Sequence, residues 1–380
     1  MPPATPPIAL PGPPRRILVR GVNWLGDAVM TTPALLRLRE RFPSAHIALL
    51  TPAKLADLWL QHPALDEAIS FAPGESPWRI GRRLRAARYD LGIVLPNSPR
   101  STLECWLAGI PRRVGYARPW RNWLLTHAIP PRAGEVKMRK RSAVEVRHLT
   151  SAPSLARRDE VGPAAHHLHQ YLHLTMALGA SAEPVPPLLK VNREEVVQTR
   201  AKFDLGEEVR WLGINAGAEY GPAKRWPVAR FAKVARTLAD ESRCGLALFG
   251  GRGDATLAAE LQSAIGDRRS AIRNLAGRTT LRELMAALSL CRVVLTNDTG
   301  PMHVAAALGV PVVAIFGSTS PALTGPGLPG DPRHRLLSAN VACAPCFLRE
   351  CPIDFRCMNG IAVARVTAAV RELMERGSPA

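Results

Sequence analysis

VVLTNDTGPMHVAAALGVPVVAIFG, residues 293–317, reads as one strand–helix–strand unit. The apolar run 293–297 meets a turn in which Thr299 or Gly300 is placed to cap a helix. Pro301 falls in the first helical turn, where its missing N–H costs nothing. Gly309 and Pro311 break the helical stretch, and a second apolar run follows at 312–317. Short, continuously apolar runs separated by a helix are the pattern of parallel strands covered on both faces.

The same pattern extends in both directions. WLGIN (211–215) and GLALFG (245–250) are strand-like, and so are ILVR (17–20), IALL (47–50) and LGIVLP (91–96), with amphipathic stretches such as 231–239 between them. Alternating strands and helices predict an α/β fold with parallel sheets, and the pattern occurs twice. A helical segment at 171–178 leads into SAEPVPPLLKV, whose prolines suit a linker. The expected division is a Pro-rich disordered tail at 1–15, a first domain at 16–183 and a second at 184–360. A final amphipathic helix occupies 361–380.

A chain of 380 residues accommodates two such domains, and 47% hydrophobic with 21% charged residues excludes a disordered polymer. The formal net charge of +19 favours anionic partners. The longest nearly uncharged stretch, 304–317, is too short to cross a bilayer, and the N-terminus lacks a signal-peptide pattern. A cytoplasmic location is expected. Three of the seven cysteines, Cys105, Cys244 and Cys291, sit singly in apolar segments as core thiols do. Cys343, Cys346, Cys351 and Cys357 form C-x2-C-x4-C-x5-C, a spacing that thiolate metal sites and plain Pro-shaped loops share; no metal site is expected.

Ligands of parallel sheets bind beyond the carboxyl ends of strands, so the loops after strands are where chemistry is sought. Loop 20–27, RGVNWLGD, spaces Gly21 and Gly26 like a phosphate loop but places Asp27 where that loop needs lysine. Asp27 is either a first-turn helix acid or a general base. Loop 215–227, NAGAEYGPAKRWP, offers small residues Asn215, Gly217 and Ala218 for close ligand approach, then Lys224 and Arg225 to neutralise phosphate. Loop 296–303 offers a helix N-terminus for a diphosphate, with Asp298, Thr299, Gly300 and His303 around it. Loop 249–254 is a glycine-rich turn ending in Asp254. No complete G-x-G-x-x-G appears, which disfavours a dinucleotide oxidoreductase. Between Arg112 and Arg141 nine basic residues face one acid, with Tyr116, Trp120 and Trp123 interleaved. That mixture suits nucleic acid, a phosphorylated glycolipid at a membrane, or a generally basic surface.

Taken in order, VRGVNWLGDAVMTTPAL, VLPNSPRSTLECWLAGIPRRVGY, NAGAEYGPAKRWP, LFGGRGD and TNDTGPMHVAAALGVPVVAIFG resemble the lipopolysaccharide heptosyltransferases of glycosyltransferase family 9. CAPCFLRECP also looks like a segment of some members. The resemblance implies GT-B architecture: two Rossmann-like domains facing a central cleft, acceptor on the first, sugar nucleotide on the second, with the last helix crossing back to the first. The implied reaction moves heptose from ADP-L-glycero-D-manno-heptose to the first heptose of the inner core, on heptosyl-Kdo2-lipid A, with inversion. Other acceptors, a different core position or a protein hydroxyl, are the alternative within the family; a basic nucleic-acid-binding protein is the alternative outside it.

In the implied site Asp27 is the general base and Lys224 the catalytic cation on the diphosphate. Asn215, Gly217, Ala218, Asp254, Asp298, Thr299, Gly300 and His303 are expected at the donor. Asn23, Trp24, Gly26, Asn97, Ser98 and Arg121 are expected at the acceptor. No cofactor is required, magnesium serving at most as a non-dedicated counter-ion. The expected partners are ADP-heptose, the lipid-linked acceptor and the inner leaflet, touched peripherally from the cytoplasm, with no nucleic acid.

Overall fold

The computed structural model describes residues 7–151, 162–266 and 271–376. They form two compact units, one from described residues of 7–135 and 167–190, the other from described residues of 136–166 and 191–376.

The first unit holds a six-stranded sheet of β1 (Arg16–Arg20), β2 (His46–Pro52), β3 (Glu67–Phe71), β4 (Leu91–Val94), β5 (Arg112–Tyr116) and β6 (His127–Ile129). Its order is β3-β2-β1-β4-β5-β6, every pair parallel. The second unit repeats the plan with β7 (Trp211–Asn215), β8 (Gly245–Leu248), β9 (Ile272–Asn274), β10 (Cys291–Asn297), β11 (Val312–Phe316) and β12 (His334–Ser338), in the order β12-β11-β10-β7-β8-β9. Each is the doubly wound 3-2-1-4-5-6 arrangement, a Rossmann-like domain. The strands legible in the sequence are the central ones. β4, β7 and β11 are buried at every position because helices cover both sheet faces, which makes their sequences continuously apolar. The edge strands β3, β6, β9 and β12 carry no such run; β3, EAISF, is mostly exposed.

The boundary expected near Glu183 falls instead between Lys190 and Val191, and described residues of 136–166, expected in the first domain, belong to the second. Specific ties hold them there. The Arg141 N–H donates to the Cys346 carbonyl at 3.0 Å and its Nη1 to the Ala342 carbonyl at 2.9 Å, while Val146 packs on Cys343 and Cys346. A His166 ring nitrogen lies 2.9 Å from the Gly325 carbonyl.

The expectation for the last helix is corrected too. Val363–Glu375 buries Val366, Val370 and Leu373 in the core that also contains Leu212, Leu238 and Leu295, all of the second unit. Its apolar face is thereby covered. Residues 1–6 of the expected tail and 377–380 of the last segment lie outside the described residues. Just past the former, the Ile8 N–H donates to the Ala177 carbonyl at 2.8 Å, so this part of the Pro-rich start is tied down. Among the described residues no helix is long and apolar enough to cross a membrane.

Two buried imidazoles connect the cores to pH. Burial pushes His62 and His334 down from 6.5 to about 4, so both are neutral in the folded protein. The unfolded chain binds those protons first as pH falls, so stability is lost between about pH 6.5 and 4. Urea midpoints should therefore drop across that window, and drop less in a His62→Gln/His334→Gln variant.

Candidate active site

Both sheets reverse their winding at the first strand. Crossover segments leave to opposite sides there, and a crevice opens above the carboxyl ends of β1 and β4 in one unit and of β7 and β10 in the other.

In the first unit the crevice is a cavity of about 190 Å³ lined by Val22, Asn23, Trp24, Asp27, Leu95, Pro96, Asn97, Tyr116, Gln170 and Tyr171. Asp27 stands in the first turn of the helix Leu25–Met30, whose N-cap, Trp24, supplies no side-chain acceptor. The open amides favour a carboxylate at that position. Burial raises the Tyr116 and Tyr171 phenols, with the Asp27 charge adding to the effect at Tyr171, so both rings stay protonated and polar without charge. The Tyr116 hydroxyl donates to the Gln170 carbonyl at 2.7 Å.

The loop carrying Asn23 is held from below by an ion pair that sequence reasoning missed. Arg20, at the end of β1, donates from Nε to Glu104 Oε2 at 2.7 Å, and both side chains are almost wholly buried. Its Nη1 donates to the Gly21 carbonyl at 2.5 Å and to Asn23 Oδ1 at 3.0 Å. Glu104 lies within the apolar-looking helix Pro99–Leu107. A carboxylate on an inward helical position needs a buried cation, and that was the available signal.

Three of the acceptor expectations are reassigned by this geometry. Arg121 is fully buried and donates to the Pro96 carbonyl at 2.5 Å, so it supports the cavity wall and presents no surface to a ligand. Burial lowers its guanidinium to about 10. Ser98 caps the helix Pro99–Leu107, its Oγ accepting from the Ser101 N–H at 3.3 Å. Gly26 sits within the short helix and does not line the cavity. Asn23, Trp24, Asp27 and Asn97 all line the one cavity.

In the second unit the loop after β7 and the loop after β10 are laced by side chains. Asn215 Nδ2 donates to Thr296 Oγ1 at 3.2 Å and Thr299 Oγ1 at 3.0 Å. Asn297, not singled out in the sequence, accepts from the Trp226 N–H at 3.0 Å and donates to the Ala216 carbonyl at 2.7 Å. Thr299 occupies the N-cap of the helix Gly300–Ala307 but gives it no side-chain cap, its hydroxyl being engaged by Asn215. The first-turn amides therefore remain open to an anion. His303 is buried one turn in.

Lys224 reaches this helix start. Its Nζ donates to Asp298 Oδ2 at 2.6 Å, and the same oxygen accepts from Thr319 Oγ1 at 2.6 Å. Asp298, expected at the donor, turns its buried carboxylate to this lysine and threonine. The Tyr220 ring lies 4.9 Å from Nζ. Asp254 packs against Gly217, where any Cβ would overlap its carboxylate, and accepts from the Gly251 N–H at 3.2 Å.

The cysteine-rich segment has a place in this site through its backbone. The Tyr220 hydroxyl donates to the Phe347 carbonyl at 2.8 Å, and the Ala223 N–H to the Arg349 carbonyl at 3.0 Å. Gly221, at φ +150°, leaves no room for a Cβ beside that same Arg349 carbonyl. The four thiols carry no disulfide, and burial raises Cys357 to about 12. Among the described residues no group of three or more His, Cys, Asp or Glu is arranged to hold a metal ion.

Two doubly wound domains, one with a carboxylate in its switch-point cavity and one with a lysine at an open helix N-terminus, define the GT-B class of glycosyltransferases. The glycosyltransferase family 9 (heptosyltransferase) model matches residues 77–355. Lipopolysaccharide heptosyltransferase 2 of Escherichia coli K12 is 35% identical over 325 residues, covering 82% of this chain and 85% of that protein. Lipooligosaccharide heptosyltransferase 2 of Haemophilus ducreyi is 31% identical over 332 residues, covering 82% and 86%. The solved structure of E. coli ADP-heptose lps heptosyltransferase II matches with TM-score 0.74 at 30% identity, over 94% of this chain and 98% of that one. The chain belongs to glycosyltransferase family 9, the heptosyltransferases.

Removing one partner of the buried ion pair leaves the other charged and uncompensated. Glu104→Ala should cost about 3–5 kcal/mol of stability, measured by urea unfolding; an unchanged midpoint would show that Arg20 is satisfied without it.

Proposed function

We propose that this chain transfers heptose from ADP-L-glycero-D-manno-heptose to the first heptose of the lipopolysaccharide inner core, on heptosyl-Kdo2-lipid A, with inversion at the anomeric carbon. The observation that carries this reading is the pairing of Lys224 with Asp298 and Thr319 at an uncapped helix start, in a chain whose relatives are named lipopolysaccharide heptosyltransferase 2 and ADP-heptose lps heptosyltransferase II. Family membership leaves the nucleic-acid alternative without support, and the named relatives favour a lipopolysaccharide acceptor over a protein hydroxyl.

In this reaction Asp27 takes the proton of the attacking acceptor hydroxyl as its oxygen bonds to the anomeric carbon. The bond from that carbon to the diphosphate oxygen breaks on the opposite face. Charge grows on departing ADP, and the Lys224 ammonium and the first-turn amides of Gly300–Ala307 meet it. Asn23 and Asn97, beside Asp27, orient the acceptor sugar by hydrogen bonds, and Trp24 gives the ring an apolar face. Lysine and amides neutralise the diphosphate without a resident metal; magnesium acts only as a diffusible counter-ion. Catalysis takes place at the cytoplasmic face of the inner membrane, with the enzyme bound peripherally.

Incubation with ADP-heptose and heptosyl-Kdo2-lipid A should give a product one heptose larger, and no product would overturn the reading. Asp27→Asn should retain ADP affinity while kcat falls by about 10² to 10⁴; near-normal turnover would remove Asp27 from the base role. Lys224→Ala should raise the Kd for ADP and lower turnover as well, as read by titration calorimetry and initial rates. Unchanged ADP binding would place the lysine elsewhere.

A further inference from the structure

Because all strands of the first sheet run parallel, every loop that follows a strand emerges on one edge. Trp24 follows β1, Trp78 follows β3 and Trp120 follows β5, and these are 49%, 68% and 86% exposed. Apolar rings of this size are normally sheltered, and three on one edge call for a cover. Trp120 is further marked by its backbone: φ is 65°, a left-handed conformation that bulky residues adopt at a cost. Neither burial nor local geometry explains a tryptophan there.

The same edge is basic. Lys54 follows β2 and is exposed, its Nζ 5.1 Å from the centre of the Trp24 ring. The helix Pro77–Arg85 buries Ile80, Gly81 and Leu84 and turns Trp78, Arg79 and Arg82 outward. Among the described residues Arg79 and Arg82 have no hydrogen-bond or ion-pair partner. Of the acids nearby, Glu75 lies 3.5 Å from Arg83 and Glu135 2.8 Å from Arg118. Aromatic rings with an apolar body and a polar tip, interleaved with free arginines, match the headgroup zone of an anionic bilayer.

We propose that the carboxyl edge of the first sheet docks on an anionic lipid surface, with Trp78 and Trp120 seated among the headgroups and Arg79 and Arg82 on lipid phosphates. This deepens the peripheral membrane association proposed above by naming the surface that makes it, and places the Asp27 cavity on the membrane-proximal edge. Nucleic acid, the other polyanion that stacks on tryptophan, is the competing occupant.

The test uses the full-length protein and vesicles of equal parts phosphatidylglycerol and phosphatidylcholine, free of any acceptor. Wild type should co-sediment with these and not with pure phosphatidylcholine. Trp78→Ser/Trp120→Asn and Arg79→Glu/Arg82→Glu should each bind roughly tenfold or more weakly. Both variants should keep wild-type melting temperatures and wild-type rates on a deacylated, water-soluble heptosyl-Kdo acceptor, which tests the transfer reading separately. Equal binding to both vesicle types, binding unaffected by the substitutions, or tighter binding to a single-stranded oligonucleotide lost in the same variants would each overturn the proposal.

Discussion

The structure depends on one topological constraint: in each sheet, strand order reverses at the first strand. A right-handed crossover from β1 to β2 passes on one side of the sheet and the connections beyond β4 on the other, so the loops over β1 and β4 part and cannot fill the space between them. The same holds at β7 and β10. Asp27 and Lys224 each follow the strand at such a point, and neither position would face open space in a sheet wound one way only.

Parted loops need fastening, and the two units solve this differently. Under the first, a buried ion pair does it, Arg20 with Glu104, one guanidinium arm reaching up to Gly21 and Asn23. Glu104 also accepts from Arg100 Nε at 3.3 Å, and the acidic side chain that lines the cavity is Asp27, beside phenols that burial keeps protonated. Under the second, neutral amides and hydroxyls do it: Asn215, Thr296, Asn297 and Thr299 cross-link the two loops. One charged tie joins the same loops, Lys224 to Asp298 at the helix start.

How much of this could be read from the chain follows from the same physics. Central parallel strands are covered on both faces, so β1, β7, β10 and β11 are visible as apolar runs, and loops directly after them could be searched. β3, at an edge, is mostly exposed and gives no run to find. Asp27, Asn23, Asn97, Lys224 and Thr299 could be singled out because they sit in loops within nine residues of a strand end. Arg121 was misread because its distance from Pro96 is set by tertiary packing, and a basic residue among aromatics gives no sign that it is buried. Tyr171, on a helix far along the chain, enters the cavity only through folding. The place of the described residues of 136–166 was equally hidden, since the Ala342 carbonyl that Arg141 reaches lies about two hundred residues later in the chain.

In the proposed reaction, Asp298 tempers the grip of Lys224 on the charged leaving group. A lone lysine at an open helix start would bind a diphosphate strongly, product included, and tight product binding slows turnover. Here the ammonium is already shared with a carboxylate that Thr319 holds in place. The pairing fixes where the lysine points before any ligand arrives, so little side-chain entropy is lost on binding. It also keeps the site near neutral, and an arriving diphosphate gains the difference between its own attraction for the ammonium and that of Asp298. In the proposed reaction that difference grows as negative charge accumulates on the breaking bond, so the arrangement would favour the transition state over the bound donor.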